Sequence, residues 1–107
     1  MPKHFKINNN YAIFWNNNHV WTLALNGIYE EKMLGFCLDE EDKTKVIHDI
    51  RISSKAKEIV IIVGNKINNN NASIIIWNII KNKEKQAIDV TGTYELLWDD
   101  DGCAIVV

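Results

Sequence analysis

Ile59-Val60-Ile61-Ile62-Val63 is an unbroken run of β-branched residues, and Ile74-Ile75-Ile76-Trp77-Asn78-Ile79-Ile80 repeats its character further along the chain. Branching at Cβ restricts χ1 and crowds the turns of a helix, whereas the pleated surface of a sheet accommodates it. A strand with water on one face alternates apolar and polar residues. A run that is apolar at every position suits a strand covered on both faces. Both runs fall far short of the roughly 20 residues that a membrane-spanning helix needs. The centre of the chain therefore predicts an all-β protein whose middle strands are buried on two sides.

Shorter strand patterns lie on either side. Residues 11–15 are aromatic and aliphatic, and the asparagines at 16–18 follow as a turn. Residues 19–25 alternate, with Val20, Thr22 and Ala24 on one face and Trp21, Leu23 and Leu25 on the other. Asn26-Gly27 ends that run as a tight-turn dipeptide. Residues 33–38 make a short apolar run before the acidic break at 39–42, and 46–52 place Val46, His48, Ile50 and Ile52 on one face. Residues 86–90 end at Thr91-Gly92, while 94–98 and 103–107 flank the turn Asp99-Asp100-Asp101-Gly102. That makes about nine strands. Helical readings of 28–38 and 76–85 lose to the β-branched content, and the one proline, at position 2, leaves the turns to Gly, Asn and Asp.

The pattern repeats. Residues 49–63 and 94–107 both read strand, polar turn, β-branched strand; residues 19–25 and 73–79 form a second matching pair. A four-stranded unit of about 40–50 residues is the period of propeller blades. Ser73-Ile-Ile-Ile-Trp-Asn-Ile79 resembles the third strand of a WD-repeat blade, with Trp77 in the Trp place and Asn78 in the Asp place. Trp98-Asp-Asp-Asp-Gly-Cys103 resembles the turn between the first two strands of such a blade, its Asp101-Gly102 matching the family's Asp-Gly, and residues 52–57 match that turn more weakly. The chain departs from the family pattern in three places. No Gly-His pair precedes a first strand, since His48 lies within one; Leu23 occupies the Trp place of the first unit; and the turn before Ser73 is lengthened. The resemblance implies antiparallel four-stranded blades, with 11–38 a partial blade, 46–90 a full one and 94–107 a second partial one. A propeller closes with typically four to eight blades, so the chain is expected to be either a piece of a larger propeller or a protomer that completes one by self-association or with another chain. The alternative is a single small β-sandwich or barrel.

Composition narrows the function. Twelve Lys+Arg face 14 Asp+Glu for a net charge of −2, and the basic residues are scattered, which argues against nucleic acid. The start of the chain is charged and then Asn-rich, not apolar as an export signal would be, so a cytoplasmic protein without membrane contact is expected. Cys37 and Cys103 then read as reduced, buried thiols. Eleven Lys to one Arg, with abundant Ile and Asn, is the bias of an AT-rich genome, and the Asn runs at 8–10, 16–18 and 68–71 read as loop filler.

No reaction is legible. His4, His19 and His48 lack metal-ligand spacing, and the cysteines lack the Cys-x-x-Cys of zinc sites. In the Asp99–Gly102 turn the first slot of a calcium loop falls on Leu97, which has no donor. Ser53-Ser54 has no nucleophile elbow around it, and the five glycines are isolated, so no phosphate loop forms. Neither a catalytic residue, a cofactor nor a metal is expected. Trp is enriched at binding hot spots, so Trp21 and Trp98 are the candidate contacts to a protein partner. Asp39, Glu40, Glu41 and Asp42 are candidates for a basic one. The function implied by the WD-repeat resemblance is a non-catalytic scaffold that holds other proteins; the alternative is a small β-sandwich that binds one partner, as inhibitors and immunity proteins do.

Overall fold

A computed structural model describes residues 4–7, 11–25, 31–38, 44–53, 58–65 and 71–107. These form ten strands and no helix: β1 (His4–Ile7), β2 (Tyr11–Trp15), β3 (His19–Ala24), β4 (Glu31–Cys37), β5 (Lys45–Ile52), β6 (Glu58–Asn65), β7 (Asn71–Asn78), β8 (Lys83–Thr91), β9 (Leu96–Trp98) and β10 (Ala104–Val106). Every pairing is antiparallel and joins neighbours in the chain, giving the four-stranded meanders β1-β2-β3-β4 and β5-β6-β7-β8 and the hairpin β9-β10. The all-β class with four-stranded antiparallel sheets is thus the observed one. The first sheet holds one strand more than its pattern announced, since β1 precedes residue 11. Among the described residues no helix is long and apolar enough to cross a membrane.

The second sheet is the middle layer. Along β6, Ile59, Ile61 and Val63 enter one core with Ile13, Trp15, Val20, Leu34 and Phe36 of the first sheet. The intervening Val60 and Ile62 enter a second core with Ile74 and Ile76, packed against Leu96, Trp98, Ala104 and Val106 of the hairpin. This is the two-sided burial expected of an uninterrupted β-branched run. Fully burying such a side chain contributes about 1.5–3 kcal/mol. Trp77, at the end of β7, lies edge-on to Phe36 with ring centres 5.9 Å apart.

Like strands lie over like strands. First meets first where Lys6 of β1 pairs with Asp49 of β5 at 3.1 Å. Fourth meets fourth where the Gly35 amide of β4 donates to Asn82 Oδ1, 2.8 Å away at the head of β8. Second meets second where the Ala104 amide of β10 donates to Glu58 Oε1 of β6 at 3.0 Å. Each of these contacts joins strands of the same rank, an arrangement consistent with blade-like layers.

Two local readings are corrected. In β5 the register slips between Ile47 and Asp49, a bulge that puts one extra residue into the strand. Strict alternation would bury His48 with Ile50; instead Ile47 and Ile50 are buried and His48 is exposed. Its ring covers Gly64, where a Cβ would collide with it. The asparagines at 16–18 are an organised turn and not filler. Asn16 Oδ1 accepts the amides of Asn18 and His19, both at 2.8 Å, while the Asn17 and Asn18 carbonyls accept Ile47 and Leu38 amides at 3.1 Å each. Asn71 opens β7; residues 8–10 and 68–70 lie outside the described residues.

Candidate functional site

Stacking leaves an uncovered face at each end. In the first sheet, alternation along β2 turns Ile13 and Trp15 inward and Phe14 outward. The register then aligns Phe5, Phe14, Trp21 and Met33 across all four strands on the outward face. Beside them run Ile7, Leu23 and Glu31, with Ala12 buried between Ile7 and Leu23. Phe5 is 66% exposed and Met33 54%. The Phe5 and Phe14 rings are 6.3 Å apart, and His19 lies tilted against Trp21 at 5.9 Å. At the other end, β9 and β10 turn Leu96, Trp98, Ala104 and Val106 onto the second core. That leaves Leu97, its cross-strand partner Ile105, and Val107 exposed.

The candidate tryptophans therefore fall in different layers. Trp21 is half-buried in the middle of the outward aromatic row, whereas Trp98 is half-buried with its ring on the second core. They do not form one patch. Asp39, Glu40, Glu41 and Asp42 lie outside the described residues.

The turn at the hairpin is built as its composition suggests. Asp99 Oδ1 accepts the amides of Asp101 at 2.9 Å and Cys103 at 2.8 Å, and Gly102 takes the left-handed φ of 83° that closes it. Cys103 is a free, half-buried thiol rather than a buried one; the Cys37 side chain lies outside the description.

Two ionic contacts were not legible from local pattern. Glu58, 3% exposed, accepts a second contact from Lys85 Nζ at 2.9 Å, and this hydrogen bond holds the ammonium above its ordinary pKa against a smaller opposing effect of burial. Burial of Asp49 pushes its carboxyl up, but hydrogen bonds from Lys6, Arg51 and the Ile50 amide outweigh this and hold it below the usual value. Lys6 for Asp49, and Ala104 and Lys85 for Glu58, are partners far off in sequence, which no local pattern shows.

Shallow cavities add little chemistry. One of about 360 Å³ contains Ser73, whose hydroxyl donates to Asp89 Oδ1 at 2.8 Å, with no histidine or cysteine among the described residues lining it. Another, of about 300 Å³, lies beside β5 among His48, Asp49, Arg51 and Tyr94, where the Arg51 Nε is already held by Asp49 at 2.9 Å. Among the described residues no group of three or more His, Cys, Asp or Glu is placed to hold a metal ion. The arrangement offers apolar surface at its two end faces. No protein-family model, curated protein or solved structure matches the chain.

Proposed function

We propose that this chain is a non-catalytic protein-interaction scaffold segment, made of blade-like sheets resembling those of WD-repeat propellers. In this reading it works in the cytoplasm and holds proteins, not nucleic acid or membranes, through its uncovered sheet faces. The observation that carries the reading is the row Phe5, Phe14, Trp21 and Met33 lying outward on a sheet whose other face packs Ile13, Trp15, Val20, Leu34 and Phe36 into the core. Soluble monomers rarely keep large contiguous apolar patches, and aromatic residues with Met are enriched where proteins meet. Trp77 stands near the end of β7, the third strand of its sheet, and Asp99–Gly102 joins β9 to β10, which supports the reading. A net charge of −2 and the free Cys103 thiol fit a protein-binding role in a reducing compartment.

The test is site-specific photo-cross-linking in the native cell, with the cross-linking residue at Trp21 and, as a control, at exposed Lys83. A discrete protein adduct at Trp21 and none at Lys83 is expected. No adduct at Trp21, or an adduct to RNA or lipid, overturns the reading.

A further inference from the structure

Six of the seven large hydrophobic residues exposed among the described residues lie on the two end faces: Phe5, Ile7 and Met33 on the first sheet, Leu97, Ile105 and Val107 on the hairpin. The seventh, Ile80, is in the β7–β8 turn. These two faces are not alike. The middle sheet packs one side on the first sheet, first strand by first and fourth by fourth, and the other side on the hairpin, second strand by second. The outward side of the first sheet corresponds in this series to the side of the second sheet that receives the first. The outward side of the hairpin corresponds to the side of the first sheet that is received. One molecule thus carries both halves of a contact that it already makes internally.

We infer that the partner of the first-sheet face is the hairpin of a second copy of this chain, docked head to tail with β9 over β1 and β10 over β2. The inference rests on the scaffold reading above and names the partner of that same face. Leu97 and Ile105 of one copy meet Phe5 and Phe14 of the next, continuing the internal stack. The contact is heterologous: the two surfaces differ, so each added copy presents a fresh receiving face. Such contacts grow until the rotation per copy closes a ring, or form open filaments if it does not. The second core shows, with the hairpin's opposite face, that a two-stranded hairpin can cover the apolar face of a four-stranded sheet in this chain.

The decisive experiment separates the two surfaces. One variant carries Phe5→Glu and Met33→Glu; the other carries Leu97→Glu and Ile105→Glu. All four positions are at least 44% exposed, so the folds are expected to survive, which circular dichroism and thermal melting check. Should either double variant misfold, the single substitutions Met33→Lys and Ile105→Lys replace it. In sedimentation, the wild-type chain should give masses at multiples of 12.3 kDa that rise with concentration. Each variant alone should be monomeric. An equimolar mixture of the two should form a dimer and nothing larger, because each retains the half that the other has lost. A monomeric wild type, variants that still associate alone, or a mixture that stays monomeric each overturn the inference. A wild type that stays monomeric yet yields a heterologous protein adduct at Trp21 removes the self-association and leaves the scaffold reading standing.

Discussion

Glu58 at the head of β6 and Ala104 in β10 are joined across two layers: the Ala104 amide donates to Glu58 Oε1 at 3.0 Å, although the residues are 46 apart in sequence. The other carboxylate oxygen, Oε2, accepts from Lys85 Nζ at 2.9 Å. One buried carboxylate therefore fixes the hairpin to the middle sheet. Glu58→Ala leaves the Ala104 amide without this acceptor and should cost about 1–3 kcal/mol, the penalty for stranding a polar group. Glu58→Gln keeps an acceptor and should cost less. Urea unfolding of both variants checks the order; equal losses would show that the hydrogen bond contributes nothing.

Two ionisable groups with shifted pKa values among the described residues act at opposite ends of the pH scale. Lys85 has a raised pKa in the fold, so its contribution is complete below the ordinary lysine value of about 10.4 and is lost as pH rises through the raised one. Asp49 has a lowered pKa, so its contribution is present above the ordinary value of about 3.9 and is lost as pH falls through the lowered one. Melting temperature against pH should show an alkaline limb that Glu58→Gln flattens and an acid limb that Asp49→Asn flattens. Unaltered limbs would assign the pH dependence to other groups.

Asn82 sets backbone preference against hydrogen bonding. Its φ of 52° favours glycine, yet its Oδ1 accepts from the Gly35 amide at 2.8 Å and from Trp77 Nε1 at 3.2 Å. Asparagine tolerates this conformation, so glycine gains little there. Losing the acceptor removes two hydrogen bonds at a junction between sheets, one from the exposed Gly35 amide and one from the part-buried Trp77 Nε1. Asn82→Gly should therefore destabilise the protein, by about 1–3 kcal/mol. A stabilised variant would mean that backbone strain dominates at this turn.

Core and end-face truncations should separate cleanly. Ile61 is fully buried, and Ile61→Ala should cost about 2–5 kcal/mol. Met33 is 54% exposed, and Met33→Ala in the monomeric Leu97→Glu/Ile105→Glu background should change stability by no more than about 0.5 kcal/mol. Chemical denaturation measures both; similar losses would place Met33 in a core.

The middle strands were legible because their signal is dense. At 59–63 every residue is apolar and β-branched, and each one is buried. The Asp99–Gly102 turn was legible because its residue types carry its geometry. Strand β1 was not, because an edge strand of four residues has one neighbour, and His4-Phe5-Lys6-Ile7 leaves both apolar residues outside. Nor was the bulge of β5, since one inserted residue changes parity without changing composition. Glu58 looked like part of a polar turn. It is buried only because β10 arrives from the far end of the chain, a relationship that no local window contains. The outward aromatic row was half visible: alternation placed Trp21 opposite Val20, but only the register of four strands aligns it with Phe5, Phe14 and Met33.

The two-sided burial of β6 has a consequence for how the molecule comes apart. Both cores share this strand: Ile59, Ile61 and Val63 belong to one and Val60 and Ile62 to the other. Opening the hairpin uncovers one side, and releasing the first sheet uncovers the other. Neither event alone exposes the backbone of β6, whose amides are bonded on both edges within the sheet. Proton exchange at Val60–Ile62 must therefore wait for global unfolding, while β1 exchanges by fraying at the edge. Among the described residues the chain is a short linear array whose two outer layers both pack on the middle one. A weakness introduced in β6 loosens both ends at once, whereas one introduced in an outer layer stays local.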